Sequence, residues 1–508
     1  MTDSLLAVLI VLPIVASVVP LVASLRYEEV GWYVAVAAVV AETAVAALVG
    51  RSFLVQGTLR HQLGGVSMPY GIELVVDGFS LPVVVLVAVV ALGVLAYTRS
   101  PGPRNNAFYS AYLLLTGGLM GVAVTGDVFN MYVFLEITGL TAYTLVASKG
   151  DGKSAYAALK YMLIGTVGAS LYLIGVGYAF VATGTLNMAD LSARLAEAGY
   201  GNTLVLASFG FVVAGLGVKT ALFPLHTWQP DAYAAAPYGV TGYIAALVST
   251  VSAYALGRVV LTVYTTDFLT ANPFASSALV YLGAVSIVAG SVLAVTQTDV
   301  RRLLAYSSVS QFGLIVAAFG IANPSAVFGG LVHLVGHAVM KGALFLGAGA
   351  LAYRLGVERL RDYEGVAKEA PYASAGFAVL LLSLVGIPPA VGFIGKWYIA
   401  VGAVRAGEYV VAAVIFGSTL LTLAYAARLV DRMYFGLGTG ERGGAGTDTE
   451  AGTTPAASAA AADGGDTETK SVTHGMVAVV LIAAVVAVGL GLAASWVEPF
   501  LRLGEVIR

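Results

Sequence analysis

Stretches of about twenty apolar residues recur along almost the whole chain, and this repetition constrains the fold more than any other feature. A bilayer core takes ~20 apolar residues to cross as a helix. Its backbone polar groups find no water there, so each run has to satisfy them internally. Runs fall near 4–24, 29–50, 77–98, 107–125, 128–148, 155–183, 203–224, 236–263, 274–297, 302–321, 324–351, 372–394, 407–434 and 475–497. Two of the fourteen are interrupted and are counted once each. Pro224 and Pro230 break VKTALFPLHTWQPDAYAAAP, and Pro388 and Pro389 break SLVGIPPAVGFIGKW. The first run has no basic leader and no small-residue cleavage site, so it reads as a spanning helix and not a signal. The expected fold is an all-α polytopic membrane protein.

Composition agrees. Of the 508 residues, 59% are hydrophobic and 11% charged, where soluble domains hold ~45–50% and ~25%. A soluble enzyme, a secreted disulfide scaffold and a nucleic-acid binder are excluded as readings of the whole chain. There is no Cys and the net charge is −2. Disulfides, iron–sulfur clusters and haem thioethers are not expected.

Basic residues test the count. With the N-terminus outside, sixteen of the 26 Lys and Arg residues fall in cytoplasmic loops and seven on the outer side. The other three, Lys219, Lys341 and Lys396, lie within apolar runs. Cytoplasmic loops carry the excess of Lys and Arg, so the split supports fourteen spans with both termini outside, in the plasma membrane. Residues 436–474 are rich in Gly, Ala, Thr, Asp and Glu and read as a disordered acidic cytoplasmic linker.

A charge at the bilayer centre costs at least ~2.5–3.5 kcal/mol, so each one asks for a role. Glu136 sits in NMYVFLEITGLTAYTLVA and Lys219 in FVVAGLGVKTALFPLH. The two make an acid–base pair across helices, either structural or switchable. Separating them would leave Lys219 desolvated and ready to release a proton. His333, His337 and Lys341 follow one another at intervals of four and stack on one helix face. Such a stripe faces protein or water, as hydrogen-bonding glue or as a proton relay, since imidazole titrates near pH ~6.5. Lys396 follows the second break. Discontinuous helices at mid-membrane mark ion pathways in transporters, because the freed carbonyls need partners. For Glu42 and Asp77, interfacial or capping roles are expected. For Lys160 and Asp127, near span ends, snorkelling or loop roles are expected.

Two broken runs about five helices apart suggest an internal repeat of two inverted five-helix units. The divisions are then 1–106 for the first three helices, 107–264 and 274–435 for the two units, 436–474 for the linker, and 475–508 for the last helix and tail.

These motifs resemble the antiporter-like subunits shared by Mrp-type sodium/proton antiporters and respiratory complex I. Around the first break the matching residues are Lys219, Phe223, Pro224, His226, Trp228, Pro230, Asp231, Ala232 and Pro237. In QTDVRRLLAYSSVSQFG they are Gln297, Asp299, Arg301, Arg302, Leu304, Ala305, Tyr306, Ser307 and Ser308. GIPPAVGFIGKW places Lys396 in the family's Lys or Glu position, and Asp127, Asn130 and Glu136 match the fifth run. The likeness extends from about the third run to Tyr434 and is greatest to the D subunit of Mrp antiporters. Two departures stand out. Thr250 occupies a position where the family often has Lys, which leaves a gap in the relay. Gln229 replaces Leu before Pro230, with little effect expected.

The resemblance implies a subunit that moves protons in exchange for sodium within a multi-subunit assembly. Its partners would be a large antiporter-like subunit and several small membrane subunits. Glu136 and Lys219 would be the input pair, His333, His337 and Lys341 the relay, and Lys396 the output. Three other readings stand beside it: a proton-pumping subunit of a complex I or membrane-bound hydrogenase assembly, a structural subunit, and a monomeric permease. There is no nucleophile–base–acid set or phosphate loop, and two His at i, i+4 lack a third metal ligand of matching spacing. No cofactor, no metal and no enzymatic activity are expected of the chain itself.

Overall fold

The computed structural model describes residues 4–66, 68, 70–99, 105–436 and 474–505, which are almost entirely helical. The expected acidic linker lies outside the described residues but for its two ends. The helices are α1 (Ser4–Ala23), α2 (Gly31–Gln56), α3 (Leu81–Thr98), α4 (Asn106–Val124), α5 (Val128–Ala147), α6 (Gly152–Thr183), α7 (Met188–Ala198), α8 (Thr203–Thr220), α9 (Gln229–Ala235) and α10 (Tyr238–Arg258). A π-helical stretch, Val259–Tyr264, carries α10 into α11 (Thr265–Ala271). The remainder are α12 (Pro273–Thr296), α13 (Val300–Ile321), α14 (Pro324–Leu355), α15 (Val366–Glu369), α16 (Pro371–Val385), α17 (Val391–Arg405), α18 (Tyr409–Tyr434) and α19 (His474–Val497).

Short polar residues start many of these helices. Asn105, Asp127, Asp151, Asn187, Asn202, Asp299 and Asn323 each accept a hydrogen bond from an amide of the first turn. Such caps satisfy donors that the helix cannot. Among the described residues, twelve helices are long and apolar enough to cross a membrane. They are α1, α2, α3, α4, α6, α8, α10 with its extension, α12, α13, α14, α18 and α19. The other two of the fourteen sequence runs correspond to the 20-residue α5, which carries Glu136, and to the interrupted pair α16 and α17.

α10 is wholly enclosed, α13 and α14 are nearly so, and α1, α2 and α19 bury only about a third of their residues. α10 packs on α14, α8, α3, α4 and α13 and so joins the two sets of helices that carry the breaks. Two elements lie outside the sequence reading. A two-stranded antiparallel hairpin, β1 (Leu59–Gln62) and β2 (Glu73–Val76), joins α2 to α3. α7 is a short amphipathic helix between α6 and α8.

Candidate functional site: a buried charged axis

At the first break, α8 stops because Ala221 turns left-handed (φ 62°) and Pro224 follows. The freed carbonyls find partners close by. The Ala221 amide donates to Gly217 and Val218, and Trp228 Nε1 donates to the Val218 carbonyl at 3.0 Å. The Phe223 amide donates to Ser286 Oγ at 2.9 Å, which ties the break to α12. Lys219, one residue before the end of α8, pairs with Glu136 of α5 at 2.7 Å. Its side chain is 8% exposed and that of Glu136 23%. The expected pair is therefore present, with the carboxylate on its more open side.

Beyond the break, polar groups without charge continue inward. Gln229 Nε2 donates to Tyr233 OH and to Ser249 Oγ of α10, both at 3.2 Å. Gln229, for which little effect is expected, helps tie α9 to α10, beside the Tyr233–Ser249 hydroxyl pair and the Thr241 bond to the Tyr233 carbonyl. Three buried atoms nearby, Thr220 Oγ1, Gln229 Oε1 and Thr250 Oγ1, have no protein partner. Buried polar groups of this kind are ordinarily satisfied by water.

The α14 stripe faces α13, and all three of its side chains are fully buried. His333 Nε2 pairs with Gln311 Oε1 at 2.8 Å. Lys341 Nζ donates to the Leu304 carbonyl at 2.8 Å and to Ser307 Oγ. His337 stands between them with both ring nitrogens unpartnered and its ring edge-on to Phe312. Neither Gln311 nor Ser307 was singled out from the sequence as a partner of the stripe. Their spacing on α13, facing the His and Lys spacing on α14, is the signal that would have found them.

At the second break, Lys396 of α17 reaches back to α16. Its Nζ donates to the Leu384 and Val385 carbonyls at 2.9 Å each. A cation at a helix C-terminus is stabilised by the carbonyls and the dipole there. Gly395 lets α17 approach the stripe, since a Cβ at that position would lie 2.6 Å from His333 Cβ. Lys396 is within electrostatic reach of both His333 and Lys341. Among the described residues, neither Lys341 nor Lys396 has a carboxylate within ion-pair distance. The sequence-derived residues thus form two groups, Glu136 with Lys219, and the α14 stripe with Lys396. The Gln229–Ser249–Thr250 region of α9 and α10 lies between.

The remaining charges resolve separately. Asp127 caps α5 through the Asn130 amide at 2.7 Å. Asp77 accepts from the Phe79 and Ser80 amides in the turn that leads into α3 and also pairs with Arg258 at 2.5 Å. That pair lines a cavity of about 190 Å³ with Arg60, Glu73, Thr262 and Thr265. Lys160, for which a snorkelling or loop role is expected, is part-exposed and pairs with Asp231 at 2.6 Å, and Asp231 also holds Arg302 at 2.8 Å. Glu42 departs from expectation as well. It is neither interfacial nor a cap but lies in the middle of α2, fully buried, because its side chain turns inward and not toward lipid.

Residues 125–422 match the family described as NADH:quinone oxidoreductase/Mrp antiporter, TM. The N subunit of NADH-quinone oxidoreductase from Desulforudis audaxviator is 43% identical over 383 residues, 74% of this chain and 75% of that one. The D subunit of the Na(+)/H(+) antiporter from Bacillus subtilis is 31% identical over 395 residues, 77% of this chain and 79% of that one. Among solved structures, a chain of an archaeal respiratory membrane complex, the membrane-bound sulfane sulfur reductase, superposes with a TM-score of 0.86. It is 27% identical, with 99% of this chain and 97% of that one covered.

Proposed function

Because the chain belongs to the NADH:quinone oxidoreductase/Mrp antiporter transmembrane family, we propose that it is a proton-translocating subunit of a multi-subunit membrane complex. The observation that carries this reading is a run of buried ionisable groups spanning both helix breaks. Lys219 has one carboxylate partner, and Lys341 and Lys396 have only carbonyl or hydroxyl partners. A structural role would favour fully compensated pairs, since an uncompensated buried charge is costly.

A proton arriving at the open side of Glu136 weakens the pair with Lys219. Lys219 then gives up its own proton inward to the Gln229–Ser249–Thr250 region, where water completes the path across α10. His337 takes up a proton on a free ring nitrogen, and His333 and Lys341 pass it on toward Lys396. Repulsion between the cations of α14 and Lys396 drives release. The direction of travel follows whatever gradient or reaction the complex uses. We further infer fourteen spans with both termini outside, and two inverted five-helix units, 107–264 and 274–435, each containing one break.

Two kinds of complex suit such a subunit. Exchange of sodium for protons agrees with the likeness to a sodium/proton antiporter component. A redox-driven pump agrees with the 43% identity to a component of NADH-quinone oxidoreductase. Purifying the tagged protein in mild detergent and identifying what stays bound separates them. Small membrane subunits with a large antiporter-like one support the exchanger, and iron–sulfur or quinone-reducing proteins support the pump. In either complex, Lys219→Ala should lower proton movement in vesicles at least about tenfold, roughly 1.4 kcal/mol, with the complex still assembled. Full transport with weakened assembly would make the subunit structural.

A further inference from the structure

Glu42 belongs to none of the groups above. It lies near the middle of α2 with no surface exposed, and neither carboxyl oxygen has a hydrogen-bond partner in the protein. The elements packed on α2 are α1, α3, α4 and β1. α1, α3 and α4 contain no Asp, Glu, Lys, Arg or His anywhere along their lengths, only the tyrosines Tyr97, Tyr109 and Tyr112. β1 contributes Arg60 and His61, and Arg60 already pairs with Glu73. On α2 itself the other charged residue is Arg51, nine residues away. Among the described residues, no cation is therefore placed to balance a carboxylate at Glu42. From α10, Tyr243 lies within electrostatic reach, and its hydroxyl bonds to Thr116 of α4 at 2.8 Å. An ionised group in this position would be desolvated without compensation, whereas the neutral acid is far less costly to bury.

We propose that Glu42 is a second proton-binding site of this subunit, away from the Glu136–Lys219 axis, and that it holds its proton as a neutral carboxylic acid within the α2–α4–α10 corner. The ligand is a proton and not a metal cation. A sodium ion needs several oxygen ligands, whereas neither Glu42 carboxyl oxygen has a protein partner and the hydroxyls of that corner are already engaged, Tyr112 with the Ala91 carbonyl and Tyr243 with Thr116. When the site exchanges its proton, the proton leaves the carboxyl oxygen and a carboxylate remains. The Thr116–Tyr243 hydroxyl pair is the polar way out toward α10.

The test is infrared difference spectroscopy at neutral pH on the purified complex containing the full chain, with native protein compared with Glu42→Gln. The expected difference is the loss of one carbonyl stretch of a protonated carboxylic acid. Loss of a carboxylate band, or no loss of an acid band, overturns the proposal. If Glu42→Gln does not assemble, Glu42→Asp replaces it, and the acid band should then shift in position. An unshifted acid band, or a shifted carboxylate band, overturns it equally. An acid band that converts to carboxylate when sodium is added would make this a cation site and overturn the proton assignment. The measurement needs no transport, so Lys219→Ala should keep the band whether or not the axis carries protons.

Discussion

Lysine performs two different tasks in this protein, and its neighbours decide which. Lys219 is held by a carboxylate from another helix. Lys396 is held by the carbonyl end of the half-helix preceding its own. The same chain element, a break with a lysine nearby, thus ends in an ion pair in one case and a helix cap in the other. Aspartate at helix starts is a simpler matter, and Asp127 tests it. Burial pushes the Asp127 carboxyl above its usual range, against the pull of the Asn130 and Phe129 amides. Folded protein then holds the proton more tightly than unfolded chain. This favours the fold below the unfolded value, near ~3.9, and the benefit is lost as pH rises through the folded value. Asp127→Asn keeps the capping acceptor, which costs little, and removes the titration. In detergent at neutral pH it should melt at or above the native temperature, with a flatter pH profile on the acid side. A clearly lower melting temperature would show that the charge itself is needed.

At the scale of elements, helix ends are where the polar chemistry collects. The two breaks expose carbonyls inside the membrane, and Trp228, Ser286 and Lys396 are the side chains that meet the backbone there. The other end of α10 is tied differently. Arg258, 5% exposed, reaches Asp77 at the start of α3, and the two bind α10 to the hairpin side of the protein. Removing one partner of a buried pair leaves the other uncompensated, which costs about 3–5 kcal/mol. Asp77→Asn should therefore lower thermal stability markedly, as read by melting of the purified protein. The double change Asp77→Leu with Arg258→Met should recover much of the loss. If the double variant is no better than the single one, the pair is not what holds these elements together.

At the scale of the molecule, α10 is the partition between the two groups of ionisable residues, and it presents Ser249 and Thr250 there in place of a lysine. In the proton path proposed above, the crossing of this helix relies on hydroxyls and water, which conduct protons without holding a charge. Thr250→Leu removes the unpartnered hydroxyl and fills its space. Proton movement by the reconstituted complex should fall by about tenfold, roughly 1.4 kcal/mol in barrier, with assembly unchanged. Undiminished movement would route the crossing elsewhere. Gln229 belongs to the same partition. It looked inert as a letter beside Pro230 because its importance comes from Tyr233 and Ser249, and Ser249 lies twenty residues further along the chain.

The membrane class, the positions of nearly all long helices, both breaks and the six ionisable side chains of the axis were legible in the letters alone. The physical reason is that these properties are local. Apolar length, proline and the cost of a buried charge each act within a few turns of one helix. The partners were decided only in three dimensions. Glu136 and Lys219 are 83 residues apart, and Lys341 meets the Leu304 carbonyl across 37. The inward turn of Glu42, the pairing of Lys160 with Asp231, the hairpin and the bond from Gln229 to Ser249 were decided there too. Each depends on which face of a helix its neighbours cover. In a helix of nearly uniform apolar character, no periodicity marks that face, so only packing against the other helices chooses it.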